Sequence, residues 1–387
     1  MRASIVSLKF SPGHYSHVLA ISKLLQSLGF EVLLVLDEEY RSFAAADSDE
    51  RFLFTEGISA LTQLCEFDPD MHIVFNLSTH DAVVISELRR CNPCLKAALV
   101  YHEPYRGLRE TLGALLAGRR GLDHTMRILG RHAFSTNVLA QVDQVWLPSK
   151  SACAEYAAFD ARYNESFHEF PLVFTDEAGQ TGVDVPKEYF SFISTALPAK
   201  GFGEFLSCVK SMARMDSTMK FQIVTKTNIS ASIDNELRAL QDAGRLIIEH
   251  GHPHSNEAIN AAYARSLCTW FGYNASTQSG VLCKSFMFGS PGVATRVGAF
   301  EEYIDGTNSV FVEDNADVGE VYAAYQRIAR GSENFVAAAR ETFLKHFYYA
   351  NYAELMTELL ASTGLATSLD GRSIANEDAR GREGGQS

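Results

Sequence analysis

No apolar run in these 387 residues approaches the roughly 20 needed to span a bilayer, so no transmembrane helix is expected. The N-terminus enters an apolar strand directly, without the basic region and cleavage site of a signal peptide. A cytoplasmic location is therefore the default expectation. Positive charge is short as well: 34 Lys and Arg against 47 Asp and Glu leave a formal net charge of -13. Binding a nucleic-acid backbone rests on clustered cations, so nucleic acid is not expected as a partner and any anion-binding surface must be local. The seven cysteines are scattered from Cys65 to Cys283 and fit a reducing compartment better than a disulfide framework. Cys91-Asn-Pro-Cys94 is a CxxC with no second pair, and packing as small hydrophobes accounts for it better than a metal or redox role.

Two common nucleotide-binding signatures are also missing. The first strand-to-helix turn reads Ser-Pro-Gly-His rather than GxGxxG, without the glycine spacing that admits a dinucleotide pyrophosphate, and there is no GxxxxGK[ST]. Asp37, after the second strand, then reads as a solvated turn residue. No Asp-x-Asp donor motif stands in a convincing context, and no repeat occurs at solenoid periods.

What is present is a run of short apolar segments separated by helical ones. Ser4 to Lys9, a turn over 11–16, a helix over His17 to Leu28 ending at Gly29, and a strand over Glu31 to Leu36 make a strand-helix-strand unit with a parallel sheet implied. Further strands are expected at His72 to Asn76, Ala97 to Tyr101 and Gln144 to Leu147. After a linker-like stretch at 176–187 a second set follows at Tyr189 to Ser194, Lys220 to Thr225, Leu246 to Glu249, Cys268 to Phe271 and Gly292 to Thr295. With 46% hydrophobic residues the chain can build two cores, and both halves read as Rossmann-type α/β domains. A helical pattern from about Asn334 to Ser362 carries too many aromatics for a solvent-facing helix and is expected to pack in part on the first domain. From Gly364 the composition predicts a disordered tail.

The most informative stretch is 278–312. Gln278-Ser279-Gly280-Val281 precedes a helix over about Leu282 to Phe288. Free N–H groups and the partial positive charge of a helix start favour a phosphate, and Gly280 permits close approach. Lys284 in the first turns opposes the macrodipole by about 0.3–1 kcal/mol, which makes sense beside a bound anion. The alternative is an exposed Lys that tolerates this cost.

The stretch from Gln278 to Val312 resembles the donor-site segment of GT-B glycosyltransferases, in particular the retaining bacterial polysaccharide group. Gly289-Ser-Pro-Gly292 is similar to their Gly-Thr-Pro-Val turn. Val297-Gly-Ala-Phe-Glu-Glu302 with Asp305-Gly-Thr-Asn-Ser-Val310 resembles their Gly-Gly-x-x-Glu and Asp-Gly-x-Asn-Gly pattern. Ser194-Thr-Ala-Leu-Pro-Ala-Lys-Gly201 is similar to their Gly-Arg-x-x-x-x-Lys-Gly segment. Lys200 matches the diphosphate-gripping Lys, while Thr195 stands where the Arg would be. The two glutamates that the family places eight positions apart are replaced here by Ser276 and Lys284.

The resemblance implies two Rossmann-type domains facing across a cleft, with residues 1–175 as the acceptor domain and 188–345 as the donor domain. A crossover helix at 346–363 would pack on the first domain, ahead of the tail at 364–387. Together with the helix-start reading of Lys284, it gives an expected catalytic set of His102, Glu103, Lys200 and Lys284. Implied donor contacts are Gly13, His14, Thr195, Lys200, Gly251, His252, Gln278, Ser279, Gly280, Val281, Lys284 and Glu302. In Leu99-Val-Tyr-His-Glu-Pro-Tyr-Arg106 the strand-end His102 would meet the donor sugar, oriented by a neighbouring carboxylate. His250-Gly-His-Pro-His254 invites zinc, but the resemblance implies a turn bordering the base pocket and no metal or other cofactor.

Between Arg106 and Arg131 six arginines face two acids, interleaved with leucines. Such a segment suits an anionic leaflet or a lipid-diphosphate acceptor, or is an ordinary helix with a solvated Arg face. The expected activity is transfer of a sugar from a nucleotide-diphosphate donor to a glycan or lipid-linked glycan in bacterial surface polysaccharide synthesis, with retention of configuration. A nucleotide-sugar 2-epimerase and a catalytically silent glycosyltransferase-like binding subunit remain as alternatives.

Overall fold

The computed structural model describes residues 1–43, 50–75, 77–102, 136–159, 166–180, 185–274, 276 and 278–365. Glu103, the segment 106–131 and the tail from 366 lie outside the described residues. The described residues form two compact units: 1–147, 157–168 and 348 onward make unit 1, and 148–156 with 169–347 make unit 2.

Unit 1 is built on β1 (Arg2–Ser7), β2 (Glu31–Asp37), β3 (Arg51–Thr55), β4 (Met71–Phe75), β5 (Lys96–Val100), β6 (Gln144–Leu147) and β7 (Phe167–Glu169), in the sheet order β3-β2-β1-β4-β5-β6-β7. The pairs from β3 across to β6 are parallel. Buried on both faces, these strands read as continuous apolar runs rather than alternations. Helices α1 (Tyr15–Ser27), α2 (Leu61–Phe67) and α3 (Asp81–Cys91) cross between them. Gly29 ends α1 at φ +85°, and Phe30 N–H returns to the Leu25 carbonyl at 3.1 Å, the left-handed stop that glycine supplies without a Cβ penalty. The five-residue β3 and the three-residue β7 were not expected from the sequence. Helix α4 (Lys150–Phe159) follows β6.

Unit 2 carries β8 (Tyr189–Ile193), β9 (Lys220–Thr225), β10 (Leu246–His250), β11 (Ser266–Phe271), β12 (Gly292–Thr295) and β13 (Val310–Val312) in the order β10-β9-β8-β11-β12-β13, all parallel. Its helices are α5 (Phe202–Met215), α6 (Asn235–Asp242), α7 (Asn256–Ala264), α8 (Gly280–Met287), α9 (Phe300–Tyr303), α10 (Val318–Arg330) and α11 (Ser332–His346). Phe190, Phe192, Phe205 and Trp270 centre its core. At the carbonyl ends of α7 and α8 the Lys187 ammonium donates to the main-chain oxygens of Ala264 (3.1 Å) and Phe288 (2.7 Å) and to Ser290 Oγ (3.0 Å). Cations are favoured at such ends.

Two boundaries differ from the sequence reading. Residues 148–156 and 169–175 belong to unit 2 rather than to the first domain. The Glu302 carboxylate explains the first shift, accepting from the N–H groups of Lys150 (3.1 Å) and Ser151 (2.7 Å) and so capping α4 from the second unit. The single helix expected over 334–362 is broken: α11 ends at His346, a 3-10 turn covers Tyr349–Tyr352, and α12 (Ala353–Ser362) belongs to unit 1. The Phe347 carbonyl accepts from Phe174 N–H at 2.8 Å, which takes the backbone out of the helix. Beyond the break, Gln144 Nε2 donates to the Leu359 carbonyl at 2.8 Å and anchors α12 beside β6. Among the described residues no helix is long and apolar enough to cross a membrane.

Candidate functional site

In open parallel sheets, ligands bind beyond the carboxyl ends of the strands where the strand order reverses. In unit 2 that point lies between β8 and β11. The two loops that leave these strands meet backbone to backbone. Gly201 sits at φ +64°, and a Cβ there would lie 1.9 Å from the Gly272 carbonyl oxygen, so only glycine fits. Asn274 N–H donates to the Ala199 carbonyl (2.9 Å), its Nδ2 to Pro198 O (2.8 Å), and Trp270 Nε1 to Lys200 O (3.1 Å). Asn315 Nδ2 holds the second loop through Gly272 O at 2.9 Å.

On this frame Lys200 is half-buried with its ammonium 4.0 Å from the centre of the buried Tyr273 ring, a cation–π seat. Thr195 lies on the same loop, half-buried, its carbonyl accepting from Leu197 N–H at 2.9 Å. The other loop ends at Ser279, whose Oγ accepts from Leu282 N–H at 3.2 Å as the N-cap of α8. That leaves the first two amides of the helix, Gly280 and Val281, for another acceptor. Gln278 is half-buried, and among the described residues its Oε1 has no hydrogen-bond partner. A small apolar recess beside them is lined by Leu172, Leu282, Tyr303 and Phe347 together with Gln278 and Ser279. Its size and lining suit no nucleotide.

Lys284 does not join this group as expected. Its ammonium is buried and donates to Glu177 Oε2 (2.8 Å), Asn256 Oδ1 (2.6 Å) and Asn260 Oδ1 (3.0 Å). Both asparagines in turn donate to Glu177 Oε2 at 2.7 Å. All three N–H donors of the lysine are consumed in a closed ring, so no ammonium is left for a phosphate. Burial pushes the Glu177 carboxyl up, but the Lys284 charge and the surrounding donors outweigh it and hold it below the usual carboxylate range. Burial pulls Lys284 down against the same partner. Because every N–H of the ammonium points at an oxygen, the pair stays ionised at neutral pH. Glu302, expected near the donor, is engaged in capping α4.

Gly251 turns at φ +87° after β10, and exposed His252 keeps Nδ1 3.2 Å from the His250 carbonyl. His254 is buried, with Nε2 3.2 Å from Thr225 O. Among the described residues no cluster of three His, Cys, Asp or Glu is placed to hold a metal.

Unit 1 has its own reversal point, between β1 and β4. Gly13, exposed, and His14 lie in the 3-10 turn Pro12–His14 after β1, and His102 lies two residues beyond β5. The His14 and His102 rings are 4.5 Å apart, and both pack on Phe75 at the end of β4. The sequence reading placed these two histidines near one site but missed a third, His17, whose ring lies 5.3 Å from that of His102. On the buried face of α1 nothing in the sequence sets it apart from core. Burial first, then neighbouring imidazoles, lower His17 and His102 well below the ordinary histidine range. Both are neutral at pH 7, and a neutral ring can donate from one nitrogen and accept at the other.

No family model matches the sequence, and no curated protein matches it. Solved structures do. HepE from Anabaena, in complex with UDP and glucose, superposes with a TM-score of 0.63 at 12% identity, over 94% of this chain and 100% of that one. Sucrose-phosphate synthase from Thermosynechococcus elongatus gives 0.60 at 13% identity, over 93% and 98%. A glycosyltransferase from Rickettsia africae gives 0.62 at 11%, over 94% and 98%. The chain has the GT-B fold. Within that fold, unit 2 is the half whose reversal point carries Lys200 and the α8 amides, and unit 1 the half whose reversal point carries the histidines.

Proposed function

We propose that this protein is a glycosyltransferase that moves a sugar from a nucleotide-diphosphate donor to a glycan or lipid-linked glycan acceptor. The observation that carries the reading is that Lys200 and the start of α8, whose Gly280 and Val281 amides have no partner among the described residues, follow the two strands that flank the reversal point of a GT-B unit. One ammonium and a helix start suit the charge that grows on a departing nucleoside diphosphate. HepE, which shares the fold, was solved with UDP-glucose as well as with UDP. The loop around Gly251 and His252 is assigned to the base, Thr195 and Gln278 to polar contacts of the donor, and His14 and the neutral His102 to sugar hydroxyls. Glu103 would orient His102. The basic segment 106–131 is assigned to an acceptor diphosphate or an anionic leaflet on the strength of its charge pattern. Retention of configuration and a role in bacterial surface polysaccharide synthesis follow from the resemblance of the 278–312 segment.

Incubation with uridine, guanosine, thymidine and cytidine diphosphate sugars, with release of the nucleotide followed by chromatography, tests the reading. Slow release from one donor, accelerated by acceptor glycans, is the expected result. Recovery of a free epimerised donor would replace the reading with an epimerase. A silent binding subunit is the second reading, favoured by the loss of Lys284 to an internal ion pair; donor binding with no turnover would establish it.

A further inference from the structure

The Cys65 and Cys91 sulfurs stand 3.0 Å apart in unit 1, inside the roughly 3.5–4.0 Å of ordinary non-bonded carbon contact. The close pair crosses between two helices rather than lying within Cys91-Asn-Pro-Cys94. Cys65 sits in the last turn of α2 and Cys91 is the last residue of α3. Both helix ends are fixed. Leu64 and Phe67 of α2 share one buried cluster with Val84 and Leu88 of α3, and Asn92 Nδ2 donates to the Pro69 carbonyl at 3.0 Å. Cys65 is partly buried against that cluster, whereas Cys91 is exposed. One sulfur is thus open to reagents and the other waits behind it.

We infer that Cys65 and Cys91 form a dithiol site that a small disulfide of the glutathione class oxidises to an intramolecular disulfide, tying the end of α3 to α2. The exposed Cys91 thiolate attacks one sulfur of the reagent, forming a mixed disulfide and releasing the first small thiolate. The Cys65 sulfur then attacks the Cys91 sulfur, closing the protein disulfide and releasing the second. Two electrons pass from the cysteine pair to the reagent, and the two protein thiol protons end on the two released thiols. Burial and the Cys91 neighbour push Cys65 up to about 11, which leaves the first attack to the exposed partner. The bond needs the sulfurs to close to roughly 2.05 Å, a movement that side-chain rotation supplies.

The full-length chain, reduced, freed of reductant and incubated with oxidised glutathione, is digested without reduction and analysed by mass spectrometry. The expected product joins the peptides of Cys65 and Cys91, carries two fewer free thiols and retains no glutathione, and the thermal midpoint rises. Cys94→Ser should behave like the parent, and Cys65→Ser should trap glutathione on Cys91. A Cys91–Cys94 disulfide, a persistent glutathione adduct on the parent chain, or seven thiols still free would each overturn the inference. If Cys65→Ser does not fold, the parent and Cys94→Ser decide the matter by themselves.

Discussion

Replacing Lys284 with Met removes the ammonium while keeping the stem that packs in α8, and leaves the Glu177 carboxylate buried without its countercharge. The two side chains are 10% and 8% exposed, so solvent screening relieves little of the loss. Breaking one partner out of a buried pair costs about 3–5 kcal/mol. For a unit of this size each kcal/mol moves the thermal midpoint by roughly 2–4 °C, giving an expected drop of about 6–20 °C by calorimetry. Glu177→Gln should lose a comparable amount. The double variant should lose less than the sum, because the two changes remove one shared interaction. Since the ammonium is spent inside the protein, Lys284→Met studied at a temperature where it is still folded should bind the nucleoside diphosphate selected by the donor screen with an unchanged Kd. A midpoint within about 2 °C of the parent, together with lost binding of that nucleotide, would refute this reasoning and return Lys284 to the phosphate.

Lys200→Ala should weaken binding of the nucleoside diphosphate that the donor screen selects by roughly 10–150-fold, the equivalent of one charge-assisted hydrogen bond, and reduce the thermal shift it produces; an undiminished shift takes Lys200 out of the site. Gly201→Ala forces a Cβ toward the Gly272 oxygen in a left-handed backbone and should lower the midpoint by more than the few degrees of an ordinary surface change, as a thermal melt will show. Acid should destabilise the chain below pH 6.5. Buried His17, His72 and His102 all have folded pKa values below the 6.5 of the free residue, His72 at about 3, so the unfolded state takes up three protons that the folded state refuses. Buried Asp81, raised to about 7, opposes them by holding one proton in the folded state that the unfolded state has released. The buried histidines outnumber the aspartate that opposes them, so stability should fall as the pH drops through about 6.5, measured by urea unfolding; stability that is flat across that drop would contradict the buried neutral histidines.

Most of the fold was legible because parallel strands buried on both faces leave dense apolar runs, as in Glu31 to Leu36 and Lys220 to Thr225. The Ser279 cap and the left-handed Gly29 are local chemistry and could be read locally. The role of Lys284 could not. Its carboxylate partner lies 107 residues away, and nothing beside Lys284 in the sequence distinguishes a cation aimed at a ligand from one aimed at a distant Glu177. Glu302 misled in the same way, since the amide it meets at Ser151 is 151 residues earlier. His17 was hidden by a different cause: on an apolar helix face a ring that packs and a ring that lines a site have the same period.

The backbone contact between Gly201 and Gly272, braced by Asn274 and Asn315, ties together the starts of the loops that follow β8 and β11. On the proposed reading, an incoming nucleotide meets a frame already tied and loses less affinity to ordering the chain. Preorganisation of this kind favours association in a single fast step, so stopped-flow mixing of the selected nucleoside diphosphate with the protein should give one concentration-dependent phase with no slow isomerisation behind it.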